Sequence, residues 1–349
     1  MPLALSILDQ STIASGRGAD DAIRETLALA KLADQWGYRR YWLAEHHNSA
    51  SHAGTAPEIL VAAIAATTQR IRIGTAGVML PHYAALKVAE QFRVLEAIAP
   101  GRIDLGVGRA PGSDGRTAYA LNPDAAQAGD RFPQQVQDLM GWLGDGLPES
   151  HPFRMVAANP AIPTRPEVWI LGSSDFGAQL AAYFGLPYCF AHFITDGRGS
   201  EEAMALYREG FRPHPGVPGR LAKPQGVVAV FALTAATEAE AFRHFRSRAI
   251  WRLSRDRGIY PPLPSLEEAE AYPLTPEDSA KIERMRARAL VGAPEQVATR
   301  LAALAEAHGV EEVAVLTPCH DPKARQESFR LLAEAVAAGA TRHGAYQHA

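Results

Sequence analysis

The stretch that decides the fold is Pro100-Gly101-Arg102-Ile103-Asp104-Leu105-Gly106-Val107-Gly108-Arg109-Ala110-Pro111-Gly112. A Pro-Gly turn precedes an alternating run with Ile103, Leu105 and Val107 on one side, which is the pattern of a β-strand. Glycines inside a strand let another backbone or a ligand approach closely. The run ends at Arg109, a cation that suits an anionic group, although a strand that ends in a solvated arginine has the same pattern.

The same stretch lacks the complete Gly-x-Gly-x-x-Gly fingerprint of dinucleotide-binding folds. Gly106 and Gly108 supply the first two glycines, but Pro111 stands where a third glycine lets a helix pack closely. This departure weakens the doubly wound open sheet, which is the second choice of architecture for the chain.

The composition of the chain limits the classes of partner and function that it can have. The 349 residues are 47% hydrophobic and 21% charged, with a formal net charge of -3, as in ordinary soluble globular proteins. This charge argues against a nucleic-acid or membrane-surface partner. Cys189 and Cys319 lie in apolar, strand-like segments, which predicts two free buried thiols. The chain has no signal-peptide pattern and no membrane-spanning run, so we expect a cytoplasmic protein.

Outward from the opening stretch, strand and helix patterns alternate along the whole chain. Seven further strands are predicted at 3–8, 41–44, 71–80, 168–171, 188–193, 227–233 and 313–316. Eight strands with helices between them, and no break in composition, predict an α/β protein with a (β/α)8 TIM barrel. We expect one domain over 1–340, with insertion loops at the C-terminal face near 110–129, 144–166 and 252–276, and a flexible tail at 341–349.

Local signals place several helices. Ile23, Leu27, Ala30 and Ala33 share one face of a helix over 20–36, and Gly37 is its expected stop. Three other helices are predicted over 131–143, 237–251 and 326–338. Thr55-Ala56-Pro57-Glu58 has the pattern of a capping box that opens a further helix. We expect 110–129 to be a long flexible loop and 252–276 a proline-rich inserted loop.

In a TIM barrel the chemistry collects at the C-terminal strand ends. The second strand ends in Glu45-His46-His47, and because adjacent strand residues face opposite sides, only one histidine should point into the mouth. The fifth strand runs through Gly172-Ser173-Ser174 into a helix, whose free N–H groups make a natural phosphate seat near Arg109. A plain serine N-cap explains the same residues.

With these residues assembled, the chain resembles the bacterial luciferase-like flavin-dependent monooxygenases. The matching segments, in the family's order, are Trp42-Leu43-Ala44-Glu45-His46-His47, Ile73-Gly74-Thr75-Ala76-Gly77-Val78-Met79-Leu80-Pro81, Gly101 to Arg109, Gly185-Leu186-Pro187 and Gly292-Ala293-Pro294-Glu295-Gln296-Val297. The resemblance implies an α/β barrel that binds reduced FMN at its C-terminal mouth.

The resemblance also implies roles for single residues. Arg109 would contact the FMN phosphate, helped by donors from Ser173, Ser174 and Gly177 and by a further basic residue, Arg131. His46 would be the catalytic histidine, which hydrogen-bonds the reacting oxygen and moves a proton.

Two further positions come from the same resemblance. Ala76-Gly77 corresponds to a non-proline cis peptide beneath the isoalloxazine ring, although small residues there also suit a barrel interior. One departure is Gly108, because luciferase catalytic subunits carry a cysteine just before the arginine. The missing thiol makes light emission a poor expectation and leaves the FMN site intact.

The implied reaction is that of a monooxygenase in which reduced FMN from a separate reductase and O2 oxygenate a small organic substrate, in a homodimer. Three alternatives stay open: an oxidoreductase of the same barrel family that uses F420, a flavin-binding protein without catalysis, and a metal-dependent barrel hydrolase. The last is disfavoured because strand one has no histidine and His192 has the pattern of a pocket-lining residue. The 252–276 segment is a candidate lid.

Overall fold

The barrel is a closed sheet of parallel strands. The structure, a computed structural model, describes residues 3–144 and 146–346. Its strands are β1 (Ala4–Asp9), β2 (Arg40–Leu43), β3 (Arg72–Thr75), β4 (Val78–Met79), β5 (Ile103–Gly108), β6 (Glu167–Gly172), β7 (Tyr188–Phe190), β8 (Gly226–Thr234), β9 (Leu290–Gly292) and β10 (Glu312–Leu316). Pairing runs β1-β2-β3-β5-β6-β7-β8-β10 and returns from β10 to β1, so eight strands close the barrel. The predicted (β/α)8 fold is confirmed.

Helices connect and surround the strands. They are α1 (Ala19–Trp36), α2 (Pro57–Ala65), α3 (Ala85–Ile98), α4 (Gly115–Leu121), α5 (Ala125–Ala128), α6 (Phe132–Leu143), α7 (Asp175–Phe184), α8 (His192–Thr195), α9 (Ser200–Glu209), α10 (Glu238–Asp256), α11 (Leu266–Ala271), α12 (Pro276–Arg288), α13 (Pro294–His308) and α14 (Pro322–Tyr346). Within the described ranges, none of these helices has both the length and the apolar character needed to cross a bilayer.

The N-terminal end of the barrel is closed by buried charges. Arg40, the first residue of β2, lies 2.9 Å from a carboxylate oxygen of each of Asp104, Glu167 and Glu312. Glu167 and Glu312 are the first residues of β6 and β10, so the four side chains converge from different strands at one end. Charge-assisted hydrogen bonds satisfy a guanidinium that burial would otherwise make costly.

Two tryptophans form the layer above these charges. Trp42 and Trp169 pack edge to face with ring centroids 4.9 Å apart. The Trp42 indole donates to Asp104 (2.9 Å) and the Trp169 indole donates to Glu167 (2.9 Å), so both buried N–H groups have partners. The barrel interior is therefore filled at this end.

Several local predictions are confirmed. Ala30 and Ala33 are buried on α1, Ile23 and Leu27 pack partly buried against the same core, and Gly37 ends the helix. The φ of Gly37 is 80°, a left-handed conformation that glycine adopts without steric cost. Cys189 and Cys319 are free and buried, as predicted.

The prediction of a capping box at Thr55-Ala56-Pro57-Glu58 is wrong. Helix α2 has Ala56 at its N-cap, so Thr55 lies one residue too early to cap, and no side chain caps the helix. Pro57 occupies the first helical position, where its missing N–H has no consequence.

Two predicted loops contain helices. The flexible loop expected at 110–129 holds α4 and α5, and Asp114 caps α4 by accepting from the N–H groups of Arg116 (2.9 Å) and Thr117 (3.1 Å). The loop expected at 252–276 holds α11 and the end of α10. Helix α10 continues past residue 251, its predicted end, to Asp256. In this added turn Arg252 Nε and Asp256 Oδ1 form an ion pair at 3.2 Å.

Other boundaries also differ. The strand predicted over 71–80 is divided into β3 and β4, and the strand predicted over 188–193 gives way to α8 after β7. Strand β9 was not expected; it extends the edge of β8. Helix α14 continues to Tyr346 and so includes 341–346 of the predicted tail. Residues 347–349 of that tail lie outside the described residues. Residue 145 of the predicted 144–166 insertion also lies outside them.

Candidate active site

The two histidines after β2 point in different directions, as strand alternation predicts. The His47 ring nitrogen Nε2 lies 2.7 Å from Glu45 Oε1. The His46 ring instead stacks on His52, with centroids 4.3 Å apart and planes 16° apart. The Nδ1 atom of His46 is buried and has no hydrogen-bond partner among the described residues.

Glu45 organises the C-terminal end of β2. Its buried carboxylate accepts from the Met79 backbone N–H (2.9 Å) and the Tyr83 hydroxyl (2.6 Å), in addition to the contact with His47. These bonds join β2 to β4 and to the start of the following helix. The sequence places Glu45 beside the histidines, but a carboxylate at a strand end has the ordinary pattern of a solvated residue, so its structural role was missed.

His52 is a second histidine that the sequence analysis missed. It lies in the loop between β2 and α2, is only 5% exposed, and its Nδ1 contacts the hydroxyls of Ser51 (3.0 Å) and Ser49 (3.2 Å). Its Nε2 is buried without a partner among the described residues. No periodic pattern marks this loop, and the sequence gives no signal that the ring returns to His46.

Burial keeps both rings neutral. Burial, with smaller contributions from Arg255 and His47, lowers the pKa of His46 to about 4. Burial also lowers the pKa of His52 to about 2, with additional repulsion from His46 and Arg255. At neutral pH each ring therefore has one nitrogen that donates and one that accepts.

Helix α10 forms a wall beside this histidine pair. The Trp251 ring centroid lies 5.6 Å from that of His52, and the Arg255 guanidinium lies 5.1 Å from the Trp251 ring. The Trp251 indole donates to the carbonyl of Pro261 (2.8 Å), so the wall is continuous with the 252–276 segment.

The 252–276 segment is fastened at the C-terminal side of the barrel. The Leu263 N–H donates to the carbonyl of Ile13, and its carbonyl accepts from Ser15, both at 2.8 Å. The Ser15 hydroxyl also donates to Glu268 of α11 (2.7 Å). These bonds to the loop after β1 therefore hold the 252–276 segment on the side of the C-terminal strand ends. The function of the 252–276 segment as a lid stays a prediction.

Arg109 and the start of α7 come together, as the sequence predicts. Arg109 follows β5 directly, and its guanidinium lies 4.0 Å from the ring centroid of Phe176, in the first turn of α7. Ser174 is the N-cap residue, but its hydroxyl makes no capping bond, so the alternative of a plain serine cap is wrong. Within the described ranges Arg109 has no carboxylate at ion-pair distance, and the first N–H groups of α7 have no side-chain partner. The donor set suits a phosphate.

The other residues expected near this anion site differ in placement. Ser173 lies half-buried between β6 and α7, and Gly177 is buried in the first turn of α7. A Cβ on Gly177 would lie 3.2 Å from the Tyr188 ring, so this glycine allows close helix–strand packing. Arg131, at the N-cap of α6, is exposed and has Asp124 (3.9 Å) as an ion-pair partner, and its contact with an FMN phosphate stays a prediction.

The Ala76–Gly77 peptide bond is cis, in agreement with the geometry that the resemblance implies, and it lies between β3 and β4. The Ala76 N–H donates to the carbonyl of Leu43 (2.7 Å), and a Cβ on Gly77 would lie 2.7 Å from the Gly106 carbonyl oxygen. This turn therefore packs directly on the backbone of β5. Contact with a flavin ring stays a prediction.

Gly108, at the position of the luciferase cysteine, faces a methionine. A Cβ there would lie 3.2 Å from the terminal methyl group of Met79. A flexible apolar side chain thus occupies the space beside this position. Across the described ranges, no group of three or more His, Cys, Asp and Glu side chains is placed to hold a metal ion.

Comparison with known proteins gives relatives over nearly the whole length. The family model described as luciferase-like monooxygenase matches residues 1–312. The uncharacterized protein YwcH of Bacillus subtilis (strain 168) is 45% identical over 338 residues, which are 96% of this chain and 99% of that protein. N-acetyl-S-alkylcysteine monooxygenase of the same organism is 37% identical over 336 residues, again 96% and 99%. Among solved structures, apo-MsnO8 is 36% identical and superposes with a TM-score of 0.85 over 95% of this chain and 98% of that chain.

Proposed function

This chain belongs to the luciferase-like monooxygenase family, and we propose that it takes reduced FMN from a separate reductase and uses O2 to oxygenate a small organic substrate. When bound, FMN supplies the electrons and the activation of O2. The side chains at the barrel mouth bind and orient the reactants and move protons. We also propose that the protein is a homodimer, which light scattering of the purified protein tests.

The observation that carries the FMN proposal is the position of Arg109 over Phe176 at the open end of α7. A guanidinium and a helix N-terminus with unused N–H groups form a complete set of donors for a dianionic phosphate. Ser173 and Ser174 add hydroxyl donors at the same point. Arg131, exposed and paired with Asp124, is proposed to contribute at most through its long-range charge.

His46 is the proposed catalytic residue. It is held by its backbone bond to Gly54 (2.9 Å) and by stacking on His52, while its buried Nδ1 atom has no partner in the part of the chain that the structure describes. A neutral imidazole can donate a hydrogen bond to a substrate oxygen, or accept a proton and return it within one turnover. Because burial keeps the ring neutral at pH 7, a proton taken from the substrate side is readily released again.

The relative named N-acetyl-S-alkylcysteine monooxygenase supplies a first substrate to test. Its name describes a thioether with a carboxylate, and a sulfur atom accepts an oxygen atom without loss of a C–H bond. We propose a thioether or a comparably small organic compound as the substrate of this chain, with N-acetyl-S-methylcysteine as the first compound in the panel.

The test combines binding and turnover. We expect FMN and anaerobically reduced FMN to bind, and turnover with a flavin reductase, NADH and 18O2 to place one labelled oxygen atom in the product, as measured by mass spectrometry. Reduced F420 is the comparison cofactor. Tighter binding of F420 with substrate turnover that needs no O2 would show the F420-dependent alternative, and FMN binding without any oxygenated product would favour a non-catalytic flavin protein.

A further inference from the structure

A cavity of about 220 Å³ opens beside α10, which contributes Arg248 to its wall. It lies between the C-terminal ends of β7 and β8, the short strand β9, and helices α8 and α12. Its volume equals about seven water molecules at liquid density, since each occupies about 30 Å³. The cavity therefore has room for one end of a small organic molecule.

The charges that line this cavity are mostly positive. Arg248, Arg284 and Arg288 all line it, and within the described part of the chain none of them has a carboxylate at ion-pair distance. Of the other two charged lining residues, Lys281 pairs with Asp256 (2.6 Å) and Asp196 pairs with Arg252 (3.5 Å). The paired groups largely compensate one another, so among the described residues the three guanidinium groups have no carboxylate at ion-pair distance, and Arg248 feels only a longer-range attraction from Asp196.

Arg248 is the central cation. Its guanidinium carbon lies over the ring of Phe231 of β8, 3.7 Å from the centroid, and the guanidinium makes no hydrogen bond to another described residue. Burial, with repulsion from Arg252, lowers the pKa of Arg248 to about 9, so the group is still charged at neutral pH. A half-buried charge without an ion-pair partner is partly desolvated, and a carboxylate that binds it through two parallel hydrogen bonds offsets that cost.

The remaining walls are apolar. Besides Phe231, the cavity is lined by Phe193, Met285 and Leu290. Aromatic rings and a methionine thioether give a surface that accommodates alkyl or aryl groups of various shapes. A ligand that uses both kinds of wall has one anionic end and one apolar portion.

One face of α10 connects this cavity to the candidate active site. Arg248, Trp251, Arg252 and Arg255 follow the spacing of residues that share a helix face. Trp251 contacts the His52 ring, which in turn stacks on His46. Arg248 precedes Trp251 by three residues, an axial distance of about 4.5 Å. The anchoring cation and the residue that contacts the histidine pair are therefore about one helical turn apart.

We propose that this cavity binds the carboxylate of the substrate, with Arg248 as the anchoring cation and Arg284 and Arg288 as supporting charges, so that the enzyme selects small organic carboxylates with an apolar portion. This inference rests on the proposed function, because it assigns the substrate class of that same site. An inorganic anion offers the same charge without the apolar part, and the test separates the two.

The test is calorimetric titration of the flavin-free protein with hexanoate, phenylacetate, their neutral amides, and inorganic sulfate. We expect at least one carboxylate to bind at least tenfold more tightly than its amide and more tightly than sulfate. Arg248→Gln should remove this preference, Arg248→Lys should keep part of it, and Arg284→Gln, at an exposed position, should reduce it severalfold. Arg286→Gln is the matched control. Arg286 lies on α12, as Arg284 does, but its guanidinium lies over Phe242 (4.4 Å to the ring centroid) and does not line the cavity.

Three results would overturn the inference: carboxylates that bind no more tightly than their amides, sulfate that binds as tightly as the carboxylates, or a loss in Arg286→Gln equal to that in Arg248→Gln. Urea unfolding of each variant confirms that it is folded before titration. Because no flavin is present, failure here leaves FMN binding and oxygen transfer as separate measurements, so it is distinguishable from failure of the proposed function.

Discussion

The imidazole rings of His46 and His52 lie face to face, 4.3 Å between centroids and 16° between planes. Each ring has one buried nitrogen without a partner among the described residues, Nδ1 in His46 and Nε2 in His52. Two neutral rings stack readily, but two imidazolium ions at this distance would repel each other. The protonation of one ring therefore affects the other, and the pair acts as a unit.

The first prediction concerns stability against pH. The folded pKa values of His46 and His52, about 4 and about 2, lie below 6.5, so in mildly acidic solution the unfolded chain binds more protons than the folded one. Stability is then lost as pH falls between about pH 5.5 and 4.5, by at most about 1.4 kcal/mol per pH unit for each ring. Urea unfolding at several pH values measures this slope.

The matched variant for that slope is His52→Gln, which keeps a polar side chain and removes one titrating ring. Its free energy of unfolding should fall less steeply with acid than that of the wild type over the same interval. Equal slopes for the two proteins would mean that His52 does not titrate between the folded and unfolded states as its burial requires.

The second prediction is that His46→Ala loses turnover and keeps FMN. Removal of a general acid or base typically lowers kcat by about 10²–10⁴-fold. The FMN dissociation constant should change by less than about threefold, since the phosphate contacts are assigned elsewhere. Added imidazole should restore part of the rate. Turnover at the wild-type rate would refute the catalytic role of His46.

The third prediction separates Arg109 from Arg131. A hydrogen bond to a charged group contributes about 1.5–3 kcal/mol, so Arg109→Gln should weaken FMN binding roughly 10- to 100-fold. Riboflavin, which lacks the phosphate, should bind the wild type and Arg109→Gln with equal affinity. Arg131→Gln, which removes an exposed cation, should change the FMN affinity by less than threefold. Fluorescence titration measures all five dissociation constants. A larger effect at Arg131 than at Arg109 would move the phosphate site toward α6.

The fourth prediction compares two neighbouring arginines at the closed end of the barrel. Arg40→Met leaves the buried Asp104 with Arg72 as its remaining counter-ion, takes the buried cation from Glu312, and should cost about 3–5 kcal/mol of unfolding free energy. Arg39→Met removes the ion pair between Arg39 and Glu312 (3.3 Å). Because the Arg39 side chain is 49% exposed, this variant should lose less than about 1 kcal/mol of unfolding free energy. Urea denaturation distinguishes these values, and similar losses in both variants would contradict the assignment.

Much of the fold was predictable because the signals are local. Continuous apolar runs such as 227–233 identify buried parallel strands, and the face formed by Ala30 and Ala33 identifies α1. The barrel then follows from the alternation of these elements. Arg109 and α7 could be placed together because the C-terminal ends of parallel strands converge in a closed barrel.

The rest depends on contacts between residues distant in the sequence. His52 lies in a loop without periodicity, and only the folded chain shows that its ring covers His46. Arg248 lies on an arginine-rich helix whose pattern is that of a solvated surface, yet its guanidinium lies on Phe231 from another element. The length of α10 was underestimated because the Arg252–Asp256 pair that extends it was attributed to a loop.

The charged layer around Arg40 has a practical consequence for protein engineering. It holds the strands together from the end opposite the mouth, through contacts that none of the proposed ligand-binding residues makes. A library that randomises Phe193, Met285 and Arg284 should therefore yield a large share of folded variants. Selection on such a library can alter substrate choice without first repairing the scaffold.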